Sequence, residues 1–153
     1  MKFSTHADVE VPIDYVFDEV TNFTILEQSI MRVGGDVEKI VGDSAAVVGT
    51  RWRINFLLSG VERSVIAEII ELDKPNVLMF KITSKSTDAS LLIKLVALNH
   101  ANTRLNVTAS AKAKTIAMKL LFQSIRFAWP ESQTRFKFIV LNFAKKLKNR
   151  HHD

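Results

Sequence analysis

Cysteine is absent from the 153 residues, which excludes disulfides, thiolate metal sites and a cysteine nucleophile together and fits a reducing compartment. Glycine and proline are scarce, five and three in all, so collagen-like repeats and Gly/Pro-rich disorder are excluded as well. No stretch of about 18 uncharged apolar residues occurs, and the opening Met1-Lys2-Phe3-Ser4-Thr5-His6-Ala7-Asp8 lacks the apolar core of a signal peptide. The expected location is the cytoplasm.

What is present is the composition of a folding chain, 47% apolar with ten phenylalanines. The length suits one domain with a sizeable core, and a single domain over 1–153 is expected, without linker or internal repeat. The formal charge of +5 raises the question of a nucleic-acid partner. Much of it sits in Lys145, Lys146, Lys148 and Arg150, where cations complement a helix C-terminus, and no Arg/Lys stripe interleaved with aromatics is visible. No nucleic-acid partner is expected.

Residues 3–10 alternate, with Phe3, Thr5, Ala7 and Val9 on one face and Ser4, His6, Asp8 and Glu10 on the other, the period of a half-buried strand. Pro12 suits a first helical position, and Ile13, Val16, Phe17 and Val20 then recur at helical spacing. A looser helix covers 23–31 and ends at Gly34-Gly35, before a strand at 36–41. Gly42 and Gly49 bracket a loop, after which Trp52, Ile54, Phe56 and Leu58 alternate with Arg51, Arg53 and Asn55. Ser59-Gly60 predicts a two-residue hairpin turn that sets Leu58 against Val61, Phe56 against Arg63, Ile54 against Val65, Trp52 against Ala67 and Arg51 against Glu68.

The fourth strand runs to about Leu72, and Lys74-Pro75-Asn76 turns into a strand at 77–83. A last hairpin joins 89–98 to 104–113. Leu105, Val107, Ala109 and Ala111 must share the face of Leu91, Ile93, Leu95 and Ala97, and this parity requires a loop of three or five residues. Then Met118, Leu121, Phe122, Ile125 and Trp129 form one helical stripe up to Pro130, and Phe136, Ile139, Val140, Phe143 and Leu147 form a second, longer one. The order is strand, two short helices, six strands, long helix.

In this order, and in Val9-Glu10-Val11-Pro12-Ile13-Asp14-Tyr15-Val16-Phe17-Asp18, Thr21-Asn22-Phe23 and Gly49-Thr50-Arg51-Trp52, the chain resembles the START-like (SRPBCC) superfamily, in particular its polyketide cyclase/dehydrase and lipid-transport group. The resemblance spans nearly the whole chain. It implies an α+β helix-grip fold, a curved antiparallel sheet of about seven strands wrapped around a long C-terminal helix, with a cavity between them used for lipids, sterols, hormones and aromatic polyketides. Where many relatives carry a Trp and Pro pair after the first helix, this chain has Phe23-Thr24-Ile25-Leu26-Glu27-Gln28.

Catalytic chemistry is sparse. His6 is on the water face of strand one, His100 in a turn, and His151 and His152 in the tail, so none is placed as a base beside a nucleophile. His6, Asp8 and Glu10 share a strand face, yet same-face neighbours are roughly 6.5 Å apart, too far for one ion without further donors. The 42–49 loop lacks the spacings of nucleotide-binding loops. No catalytic set, metal or cofactor is expected.

Arg63 stands out. Hairpin parity puts it on the concave face beside Phe56, where an unpaired guanidinium is costly. It either snorkels to solvent from the sheet edge or anchors the carboxylate or phosphate of a ligand; Glu71 and Tyr15 are further polar candidates. The apolar lining expected around a small-molecule ligand is Trp52, Ile54, Phe56, Leu91, Ile93, Leu95, Val107, Phe136, Val140 and Phe143. The leading expectation is a binder or carrier of a hydrophobic or amphipathic molecule. The alternatives are a cyclase or dehydratase using the same cavity, and a protein-interaction module of the chaperone-regulator kind.

Two surfaces offer other partners. Lys112, Lys114, Lys119 and Arg126 beside Met118, Leu121, Phe122 and Trp129 fit either a peripheral membrane contact or a lid, against ordinary packing at the sheet mouth. Ile66, Ile70, Leu92, Val96 and Leu98 on the convex face are the candidate surface for a homodimer.

Overall fold

A computed structural model describes residues 1–43, 45–58 and 60–152. Strand β1 (Lys2–Val9) leads through helices α1 (Ile13–Val20) and α2 (Phe23–Arg32) to β2 (Asp36–Val41), and β3 (Arg51–Leu58), β4 (Val61–Asp73), β5 (Val77–Thr83), β6 (Thr87–Asn99) and β7 (Asn102–Ala113) follow. Helices α3 (Ile116–Phe127) and α4 (Trp129–His152) close the chain. All strands join one antiparallel sheet in the order β1-β7-β6-β5-β4-β3-β2. Strands β2 to β7 form a meander, and β1 is added beside β7, so α1 and α2 carry the chain from one sheet edge to the other. This is the α+β helix-grip architecture, a curved seven-stranded sheet around the long helix α4.

The alternation of β1 translates directly into burial. Ala7 and Val9 are buried while Ser4, His6 and Asp8 are exposed. Val16, Phe17 and Val20 give α1 its buried face, and Phe23 anchors α2 to Trp52 and Phe80 in an aromatic cluster with ring centroids 4.9 to 6.2 Å apart. Ile69, Leu78, Leu95, Leu105 and Leu147 complete the most deeply buried layer.

The β3–β4 register is the predicted one at every pair named above, including Phe56 opposite Arg63. Ser59, half of the predicted turn, lies outside the described residues. The β6–β7 hairpin keeps the required parity by another route. Its turn holds only His100 and Ala101 between Asn99 and Asn102, and a bulge between Ala97 and Asn99 absorbs one residue, so that Leu95 still faces Leu105.

Three further expectations are corrected. Pro12 is the N-cap of α1 rather than its first residue. Pro130 does not precede α4 but sits in its first turn, where its missing N–H costs nothing; the break between α3 and α4 falls at Ala128. Ile139 is 60% exposed, because the inward stripe of α4 runs through Phe136, Val140, Phe143, Ala144 and Leu147 and leaves position 139 on its flank.

Candidate functional site

The concave face of the sheet divides the expected lining into three groups. Trp52, Leu95, Val107 and Val140 are buried in the core. Trp52 is further fixed by its Nε1, which donates to the Glu27 carboxylate at 2.9 Å, and by Lys39 Nζ, 6.0 Å from its ring centre. Ile54, Leu91, Ile93, Phe136 and Phe143 pack against that core yet keep accessible surface. Phe136 lies 5.5 Å from Phe3, which in turn stacks on Trp129 at 4.6 Å.

Phe56 and Arg63 form the third group, in a part of the sheet that only two strands make. The β4–β5 ladder begins at Ile66 opposite Thr83, so the segment from Val61 to Val65 pairs with β3 alone and projects past the end of β5. Arg63 is half-buried there, and its Nε is buried without a hydrogen-bond partner. No ion pair or hydrogen bond to Arg63 occurs among the described residues. The contrast with its neighbours is sharp, because Arg51 and Arg53 on the opposite face of the same hairpin pair with Glu68 at 2.8 Å and Glu38 at 3.2 Å.

One polar residue escaped the sequence reading. Gln133 donates from Nε2 to the Ser4 carbonyl at 3.2 Å, while its Oε1 is buried with no partner. The signal was there, since Gln133 precedes Phe136 and Val140 by three and seven residues and so interrupts the inward stripe of α4. Of the other polar candidates, Glu71 is exposed opposite Met79 beside a β4 bulge, and Tyr15 meets the His151 ring edge-on at 4.7 Å.

The carboxylates that shared a face with His6 are engaged elsewhere. Asp8 accepts from Arg104 Nε at 2.8 Å and Nη2 at 3.1 Å, and Glu10 pairs with Lys148 at 3.2 Å. Hydrogen bonding to Arg104 holds the Asp8 carboxyl below its usual range. Among the described residues no three His, Asp or Glu side chains converge on one point. His6, His100, His151 and His152 are all exposed.

The two flanking surfaces also resolve. Met118 is buried, and Leu121, Phe122 and Trp129 are half-buried, so the apolar set expected at a membrane or lid is turned inward instead. On the convex face Ile66 and Leu92 are half-buried while Ile70, Val96 and Leu98 are exposed, with Ile70 and Leu98 at bulges. Two surface depressions open on the helical side, one bordered by Leu120, Phe127 and Glu131, the other by Glu131, Arg135 and Phe138. Neither is lined by a concave-face candidate.

No family model matches the chain, and no curated protein matches it in sequence. Its backbone does match solved structures. The TTHA0849 protein of Thermus thermophilus superposes over the full length of both chains at 13% identity, with a TM-score of 0.72. The chain has the START-like helix-grip fold. A point mutant of norcoclaurine synthase from Thalictrum flavum, in complex with a transition-state analogue, covers 100% of this chain and 96% of its own at 13% identity and a TM-score of 0.68. The Zhui aromatase/cyclase of Streptomyces sp. R1128 covers 95% and 94% at 14% identity and a TM-score of 0.65. Among the described residues, no helix is long and apolar enough to cross a membrane.

Proposed function

We propose that the chain binds an amphipathic small molecule whose apolar body lies along the concave face and whose carboxylate or phosphate sits on Arg63. The observation that carries this reading is the buried Arg63 Nε without an acceptor. A buried donor left unpaired costs about 1–3 kcal/mol, more when it is charged. An anionic group in bidentate contact with the guanidinium recovers that cost.

The half-buried Ile54, Leu91, Ile93, Phe136 and Phe143 supply the apolar wall. Covering such surface is worth about 25 cal/mol per Å², so a modest acyl or aromatic body suffices for affinity. A small molecule held by the same fold in norcoclaurine synthase supports a ligand site in this architecture. Carriage is favoured over a cyclase or dehydratase reaction, because a guanidinium keeps its proton at neutral pH and is a poor general acid or base.

Native mass spectrometry of the protein purified from cells, with organic extraction of the same sample, tests the reading. An acidic amphipath retained by the wild type and lost from Arg63→Met supports it. A protein that is empty as isolated and takes up neither fatty acids nor aromatic carboxylates contradicts it.

A further inference from the structure

Helix α3 is apolar on two opposite sides. Met118 is buried and Leu121, Phe122 and Ile125 are half-buried on one side. Ile116, Leu120 and Phe127, at positions i, i+4 and i+11, share the other side and are 79%, 59% and 96% exposed. Phe138 on α4 is 61% exposed, and Glu131 borders both surface depressions, so Leu120, Phe127 and Phe138 line one continuous surface. It is the contiguity of these exposed apolar side chains, not any one of them, that marks a surface that meets something apolar.

The charge around this surface is one-sided. Residues 114–152 hold nine lysines and arginines and a single acidic residue, Glu131. Lys114, Lys148 and Arg150 pair with Asp88, Glu10 and Glu19. Lys119, Arg126, Arg135, Lys137, Lys145 and Lys146 are exposed and have no ion-pair partner among the described residues. Elsewhere Lys39, Arg51, Arg53, Lys74 and Arg104 are each matched to a carboxylate, whereas Lys2, Arg32, Lys81, Lys85, Lys94 and Lys112 have no ion-pair partner among the described residues; what sets 114–152 apart is its near lack of acidic side chains. Lys119 and Arg126 directly precede Leu120 and Phe127, two turns apart, and flank the apolar stripe on one side.

From this we infer that the outer face of α3 and the start of α4 dock the protein on an anionic lipid bilayer, with Ile116, Leu120 and Phe127 inserted at the headgroup boundary and Lys119, Arg126 and Arg135 on lipid phosphates. Charge complementarity selects this occupant. A second copy of the same face would bring Lys119, Arg126 and Arg135 against the same three cations of its partner. A nucleic acid would neutralise the cations but leave aliphatic Ile116 and Leu120 in water. A bilayer with anionic headgroups takes both components. The inference stands apart from the Arg63 reading, since none of its residues lies on the concave face.

Co-sedimentation of the full chain with vesicles tests it. The protein is expected to bind vesicles of equal parts phosphatidylcholine and phosphatidylserine, not phosphatidylcholine alone, and to be released at about 0.5 M salt. Phe127→Gln, and separately the double variant Lys119→Glu/Arg126→Glu, should each lower partitioning about tenfold. Arg104→Gln on the convex face should leave it unchanged. All substituted side chains are exposed or only half-buried, and thermal melts like that of the wild type confirm that the variants fold. No binding to anionic vesicles, binding that survives Phe127→Gln, self-association through this face, or displacement of vesicles by duplex DNA that Phe127→Gln still binds normally would overturn the inference.

Discussion

The Trp52 indole and the Glu27 carboxylate, joined by a 2.9 Å hydrogen bond, tie the start of β3 to α2. Lys39 on the neighbouring strand approaches the same carboxylate at 3.9 Å. The bond gives a buried Trp its one required partner and closes α2 over the aromatic cluster. Glu27→Ala should cost about 1 kcal/mol in urea unfolding and shift the Trp52 fluorescence, because the indole N–H is left without an acceptor. Glu27→Gln keeps an acceptor oxygen and should retain most of the stability.

The inward stripe of α4 predicts a steep contrast between neighbours. Leu147 has no accessible surface, so Leu147→Ala should cost about 2–5 kcal/mol. Ile139→Ala should stay within about 0.5 kcal/mol, as expected for an exposed side chain. Chemical denaturation of the two variants checks the pair. Equal losses would mean that α4 is rotated about its axis from the position described.

Asp8 predicts a dependence on acid. Its carboxyl is held below the ordinary value of about 3.9 by the Arg104 guanidinium, so the pair contributes stability that is fully present above that value and lost as pH falls through the lowered one. Arg104→Gln should move the Asp8 titration back toward about 3.9, read by carboxyl NMR, and flatten the acid limb of the stability curve. The change in stability should be small, because the pair is exposed to solvent.

The sheet was legible where two faces had to agree at once. In the β3–β4 hairpin the apolar partners Ile54 and Val65 and the charged partners Arg51 and Glu68 are satisfied by one register only, and a slip of a single residue would expose the first set and bury the second. Parity also held at β6–β7, but the bulge beside Ala97 was invisible, since a two-residue turn plus a bulge and a five-residue loop serve Leu95 and Leu105 equally.

The helices were harder. In α3 apolar residues occur on both sides, so periodicity identified the Met118, Leu121, Phe122 and Ile125 stripe without showing that Ile116, Leu120 and Phe127 form another in solvent. In α4 apolar character alone places Ile139 inward, whereas Ala144 fills the place between Val140 and Leu147. At the candidate site, strand alternation placed Arg63 correctly opposite Phe56. Its lack of a partner depends on which side chains reach the β3–β4 overhang, a matter of three-dimensional packing that no local pattern encodes.

The role of Arg63 is tested most directly by a paired titration: calorimetric binding of a long-chain carboxylate and of the neutral alcohol of equal length, to the wild type and to Arg63→Met. The wild type should prefer the carboxylate, and Arg63→Met should lose about tenfold or more of the carboxylate affinity while holding the alcohol as before. Equal losses for both compounds, or no preference in the wild type, would contradict an anionic anchor at Arg63.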